Sequence, residues 1–421
     1  VQQLEKRQTY RNVLQNGIVL LVTENPTVDI VAARCFFNAG SRVETKQQAG
    51  VAHLVAALIT KGTINYSSQD IAERVEYTGA ALGTEAAADY FLLSLKTVKS
   101  DFVDILNLAA EIIRSPVFSI EQLELERRLT LQGIKSQRER PLSVAYQHLL
   151  ALMYGDHPYG FPSLGWTETV SSIHADDLIA YHQTWFRPDR MTISIAGKIT
   201  PEEAIAYVQE TFGNWQVVTN SGFASTQAMS FQAETVKTIQ PNQQAIVMLG
   251  YPAPALSSPD YVALKLINSY LGGGLSSRLF VELREKRGLA YEVSTIYPAR
   301  LEGSRFVTYI GTAPQNVKTA MDGLKAECDR LTNTPLTESE LQMVKSKMLG
   351  QYALGKQTNG QIAQLLGWFE IMGLGIDRDR NYPNSIAQVT TDDIQRVAQT
   401  YFTDPAISII GSADAIQLCD L

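Results

Sequence analysis

The sequence predicts an α+β fold built as two similar domains, and three observations support that prediction. First, the text repeats. Asp176-Asp177-Leu178 through Gln183-Thr184-Trp185-Phe186 returns 216 residues later as Asp392-Asp393-Ile394 through Gln399-Thr400-Tyr401-Phe402. Each copy leads into an apolar run that ends in glycine, at residues 193–197 and 407–411. Second, each half gives the same order of patterns: a strand pair, a helix, more strands, several helices, then a final helix and strand. Third, the polar stretch 217–235 separates the halves and reads as a linker. Domains are therefore expected over residues 1–216 and 236–421, each an antiparallel sheet packed with helices.

The elements can be justified in order. Residues 18–22 and 30–37 are strand-like, and Asn16-Gly17 before them is a tight hairpin-type turn pair. The chain then passes Gly40-Ser41 to a helix over roughly residues 50–60. Ser67 or Ser68 caps a helix running to Tyr77, and residues 90–98 alternate like a strand. Two further helix starts match each other, Phe118-Ser119-Ile120-Glu121 and Leu336-Thr337-Glu338-Ser339. Each pairs a hydroxyl N-cap with acid in the first turn, where the helix dipole favours negative charge.

Composition narrows the function classes. The chain has 421 residues, 45% hydrophobic and 19% charged, enough for two or three packed domains and without a disordered tract. A net charge of -7 argues against a nucleic-acid surface, which needs clustered positive charge. Cys35, Cys328 and Cys419 lie far apart with no Cys-x-x-Cys pair, so neither a disulfide framework nor a thiolate zinc site is indicated. No apolar stretch reaches the ~18–20 residues needed to span a bilayer. The chain opens on Val1 rather than Met, which suggests an upstream segment was removed; cytoplasm, periplasm and organelle all stay open. There is no Gly-x-Ser-x-Gly elbow, and Gly272-Gly273-Gly274 lacks the Gly-Lys-Ser/Thr ending of a phosphate loop.

The informative helix text runs Gly50-Val51-Ala52-His53, through Ala56-Ala57, to Lys61-Gly62-Thr63, with Gly40-Ser41-Arg42 upstream. It resembles the signature helix of the M16 (pitrilysin-like) metallopeptidases, in which H-x-x-E-H lies between G-x-A and K-G-T. Two histidines four apart share one helical face and hold zinc, and the glutamate between them is the general base. Here only His53 remains: Ala56 stands in the place of the base and Ala57 in that of the second ligand. The family's third ligand, a glutamate, would fall near Gln132-Gly133, where no glutamate stands. A lone imidazole cannot hold a catalytic zinc, so His53 is expected to be an ordinary hydrogen-bonded residue and this chain to carry no metal. His148, His157, His174 and His182 offer no replacement cluster.

The resemblance extends over nearly the whole chain, through His157-Pro158-Tyr159-Gly160 and through residues 271–291. It implies the LuxS/MPP-like metallohydrolase fold of the two-domain members. In that family an Arg and a Tyr from the latter segment hold substrate, and the matching residues are Arg284 and Tyr291. The bland alternative makes 284–287 the charged end of a helix stopped by Gly288, and Tyr291 a strand residue packed on the core. What the resemblance implies is a non-catalytic subunit. It would pair as a heterodimer with an active, zinc-bearing homologue, form part of a peptidase chamber and help bind an unfolded peptide. Alone, it would form a homodimer at most. With only Gly272–Gly274 here and no long glycine-rich loop, a mitochondrial presequence role is not implied. The second expectation is a scaffold homologue without any part in proteolysis.

Overall fold

The computed structural model describes residues 8–217 and 228–419. Its first half runs β1 (Thr9–Val13), β2 (Val19–Glu24), β3 (Ile30–Phe37), α1 (Val51–Leu58), α2 (Ser68–Tyr77), β4 (Ala81–Ala86) and β5 (Phe91–Val98). Helices α3 (Phe102–Arg114), α4 (Ile120–Arg138), α5 (Pro141–Tyr154), α6 (Thr167–Ser172) and α7 (Ala175–Trp185) follow, and β6 (Met191–Gly197) and α8 (Pro201–Phe212) close it. The second half runs β7 (Thr235–Ile239), β8 (Ala245–Ala253), α9 (Tyr261–Gly272), a π-helical turn (Phe280–Glu285), β9 (Glu292–Ile296) and β10 (Ser304–Thr312). It ends with α10 (Val317–Asn333), α11 (Glu338–Leu354), α12 (Asn359–Ile371), α13 (Asp377–Gln388), α14 (Thr391–Tyr401), β11 (Ala406–Gly411) and α15 (Ala413–Gln417).

Local chemistry sets these boundaries. Ser67 caps α2 in a reciprocal capping box with Asp70, and Thr390 does the same for α14 with Asp393. Thr337 accepts from the Glu340 N–H at the start of α11. Gly17, at φ +90°, takes the left-handed turn between β1 and β2 that a side chain would strain.

The first sheet has the order β1-β2-β6-β3-β5-β4 and the second β7-β11-β8-β10-β9. In each, one parallel pair (β2 with β6, β7 with β11) sits among antiparallel neighbours. The second sheet thus repeats the first without its outer hairpin strand. One face of the first sheet buries Leu20, Val22, Ala33, Cys35 and Phe37 against α1, α3 and α7.

The compact units differ from the sequential halves expected at 1–216 and 236–421. One unit comprises residues 1–132, 162–226 and 353–380; the other comprises 133–161, 227–352 and 381–421. The cause is an exchange of helices. Helix α12, from the second half, packs on β3 and β6 of the first sheet, where Ile362, Ala363 and Leu366 bury Leu21 and Ala196. Helix α5, from the first half, packs on β8 and β11 of the second. Of the expected linker 217–235, residues 218–227 lie outside the described residues, and Thr235 already belongs to β7. No helix among the described residues is long and apolar enough to cross a membrane.

Candidate functional site

Helix α1 starts at Gly50, whose φ of +100° and 2.7 Å spacing from a built Cβ to the Leu164 carbonyl oxygen leave no room for a side chain. Its first N–H groups find an acceptor that the sequence reading missed. The buried carboxyl of Glu44 accepts from the Gly50 N–H at 3.2 Å and the Ala52 N–H at 2.8 Å. Burial pushes the Glu44 carboxyl up to about 8, against the pull of those two hydrogen bonds. The visible signal was an acid six residues before a helix-opening glycine. A single sequence does not mark that spacing as a cap.

On α1, His53 is half-buried and its Nε2 lies 3.4 Å from the Thr130 hydroxyl on α4. Desolvation lowers its pKa, and the charge of Glu126, also on α4, works in the opposite direction. Glu126 in turn lies 3.7 Å from the Lys61 ammonium. One turn along the helix from His53, Ala57 presents only a methyl group on the same face. Ala56 is buried, and its carbonyl accepts from the Thr84 hydroxyl of β4 at 2.6 Å. Gly133, one turn beyond Thr130, carries no ligand atom.

This donor set does not fit a catalytic zinc, which takes three protein ligands and an open position. Among the described residues no group of three or more His, Cys, Asp or Glu side chains is placed to hold a metal ion. What the arrangement makes is a single polar contact between α1 and α4, through His53 and Thr130. The remaining histidines serve elsewhere: His182 bonds the Ile113 carbonyl at 2.7 Å, and the fully buried His157 meets Glu302 at 3.0 Å.

Arg284 and Tyr291 belong to the other compact unit. Arg284 sits in the π-helical turn, marked by the Lys286 N–H donating five residues back to Val281 at 3.0 Å. Its guanidinium is exposed and lies 5.0 Å from the Phe280 ring centre. Gly288, at φ +61°, ends the turn, and its N–H donates to the Arg284 carbonyl. Tyr291 precedes β9, its N–H donating to the Gly311 carbonyl at 2.8 Å. The alternative of a Tyr291 ring packed on the core fails, because the residue is 57% exposed. Both residues thus stand exposed, one carrying a guanidinium and the other a phenol.

Two family models match the chain. Residues 19–165 match the model described as insulinase (peptidase family M16), and residues 172–348 match that described as the peptidase M16 inactive domain. Among curated relatives, the uncharacterized zinc protease YmxG of Bacillus subtilis is 27% identical over 408 residues, covering 95% of this chain and 97% of that protein. An uncharacterized zinc protease of Mycobacterium leprae is 27% identical over 390 residues, covering 92% and 87%. Among solved structures, a peptidase M16 inactive domain from Pseudomonas fluorescens superposes with a TM-score of 0.90 at 23% identity, covering 96% of this chain and 98% of that one. A protease from Helicobacter pylori gives 0.88 at 20% identity, covering 96% and 99%.

Proposed function

The chain belongs to the M16 peptidase family, and from that premise we propose that it is the non-catalytic subunit of a heterodimeric zinc peptidase. The observation that carries this reading is an asymmetry. The helix that resembles a zinc helix is reduced to His53 beside Ala56 and Ala57, while Arg284 stands exposed in its π-helical turn and Tyr291 stands exposed just before β9. The zinc-protease names of the Bacillus and mycobacterial relatives do not carry their metal chemistry past those two alanines. Zinc, the general base and the sheet edge that takes up an unfolded peptide as an added strand belong to the partner. This chain contributes walls of the chamber and the Arg284 and Tyr291 donors. The two sheets of like order fit an internal duplication behind both subunits.

The test is to purify the chain alone and with a co-encoded H-x-x-E-H homologue, then measure bound zinc and peptide cleavage. The expected result is no zinc and no cleavage for the single chain, with cleavage by the pair. Arg284→Ala should slow the pair about 100- to 1000-fold, the range for losing a transition-state donor. Stoichiometric zinc in the single chain would refute the proposal. A pair that assembles and cuts equally well with Arg284→Ala and Tyr291→Phe would instead favour a scaffold role, the second reading.

A further inference from the structure

A cleft of about 860 Å³ opens on the α12 side of the first sheet, away from His53. Its walls come from the loop after β2, from β3 and β5, and from the first three turns of α12. The volume lies within the range of small-molecule sites. Its charge is one-sided: Arg34 and Lys96 line it, and no aspartate or glutamate does.

Arg34 is held firmly without being neutralised. Its Nε donates to the Gln364 side-chain oxygen at 3.2 Å, and its Nη1 donates to the Ala33 and Leu95 carbonyls at 3.0 and 3.1 Å. Every one of these acceptors is neutral, and Nη2 takes no acceptor among the described residues. Gly360 makes room for that nitrogen, since a Cβ there would stand 2.9 Å from it. A half-buried guanidinium without a counter-charge is costly, and a bound anion would relieve the cost. Lys96 is exposed on the neighbouring strand, paired with Ala32 where Arg34 pairs with Ser94, so the two cations sit diagonally on one sheet face.

The opposite wall is built from polar residues, of which Asn25 and Asn359 are buried. Asn25 donates to the Asn359 side chain at 2.6 Å, Asn359 donates to the Ile30 carbonyl at 2.9 Å, and Thr27 donates to Asn25 at 2.8 Å. These bonds fix the start of α12 against the loop. Half-buried Trp368 supplies a flat apolar surface within the same cleft.

We infer that this cleft binds a small organic anion, a carboxylate or phosphate on a flat apolar body. Arg34 and Lys96 hold the anionic group and Trp368 holds the body. The site is independent of the proposed peptidase role, because none of its residues belongs to the α1 site or to the segment of Arg284 and Tyr291.

The full chain is titrated with phenyl phosphate and with benzoate by calorimetry, with Trp368 fluorescence as a second signal. Inorganic phosphate and benzyl alcohol serve as the bare anion and the uncharged ring. One of the two aromatic anions should bind one-to-one, and which one it is separates phosphate from carboxylate. Lys96→Gln should weaken it at least threefold, and Arg34→Gln or Gly360→Ala at least tenfold. Lys96 is exposed, so its variant keeps the test open should the others fail to fold. The proposal is overturned if neither aromatic anion binds at millimolar concentration or if Lys96→Gln binds as tightly as the wild type. Benzyl alcohol binding as well as the anions would also overturn it, and inorganic phosphate matching phenyl phosphate would remove the role of Trp368.

Discussion

Helix α12 on the first sheet and helix α5 on the second solve one packing problem with opposite parts. Both lie close over the central strands of a sheet, and close approach needs a missing side chain. In the first unit the glycine is on the helix: a Cβ at Gly367 would overlap the Phe36 ring on β3. In the second it is on the strand: a Cβ at Gly250 of β8 would stand 2.6 Å from the Met153 sulfur of α5. Each helix is also tied to an arginine on its sheet. Arg305 of β10 is buried and spends its donors on the Tyr146 and Tyr154 hydroxyls of α5. Arg34 meets only neutral oxygens and faces a cleft. The comparison teaches that the fold specifies total volume and leaves open which side gives way, and that the two arginines tie their helices from strands that do not correspond, β3 in one sheet and β10 in the other.

The largest expected effect comes from removing the exchanged helix. Residues 1–216 expressed alone leave Leu21 and Ala196 uncovered, and should show no cooperative urea transition. Joining residues 353–380 back through a flexible linker should restore one. Next, Gly367→Ala should lose about 2–3 kcal/mol, because the Phe36 ring is fully buried and cannot retreat, while Gly250→Ala should lose about 1, because Met153 can swing aside. Equal losses in chemical denaturation would break the comparison. Third, Arg305→Met removes the donors that meet the Tyr146 and Tyr154 hydroxyls, leaving Tyr154 its 3.4 Å bond to the Gly303 carbonyl, and should cost about 2 kcal/mol, against about 1 for Arg34→Met.

A fourth effect is a pH slope that only the first unit should show. Glu44 at the start of α1 is buried with no cation bonded to it, whereas Asp260 at the start of α9 meets the Arg396 guanidinium at 2.8 Å and the Tyr401 hydroxyl at 3.0 Å. The folded-state pKa of Glu44, about 8, lies above its ordinary value of 4.5, so the folded chain holds the extra proton between those values. Stability therefore falls as pH rises from 4.5 through 8, because the unfolded carboxyl ionises over that range while the folded one keeps its proton. Glu44→Gln should flatten that slope in urea midpoints taken across the range. An unchanged slope would place the titration elsewhere.

Much of this was legible in the sequence, for reasons that mark the limit of such reading. The caps at Ser67, Ser119 and Thr337 and the strand at 30–37 depend on neighbours within a few residues, so their text suffices. The alanines at positions 56 and 57 were legible as departures from H-x-x-E-H because that motif lies within five consecutive residues of one helix. The helix exchange was not, because an amphipathic pattern says that a face is buried without saying which sheet buries it. The π-helical turn at Phe280–Glu285 was missed because one extra residue in a turn leaves no compositional mark. Nor was the Arg34 cleft, assembled from segments about 330 residues apart.

The exchanged helix also sets a timetable for the growing chain. The first sheet has all its strands once β6 is made, yet its cover, α12, emerges only about 170 residues later. At ~5–20 residues per second, ribosomes leave that apolar face open for roughly 10–35 s. During that interval Leu21 and Ala196 have no cover from α12.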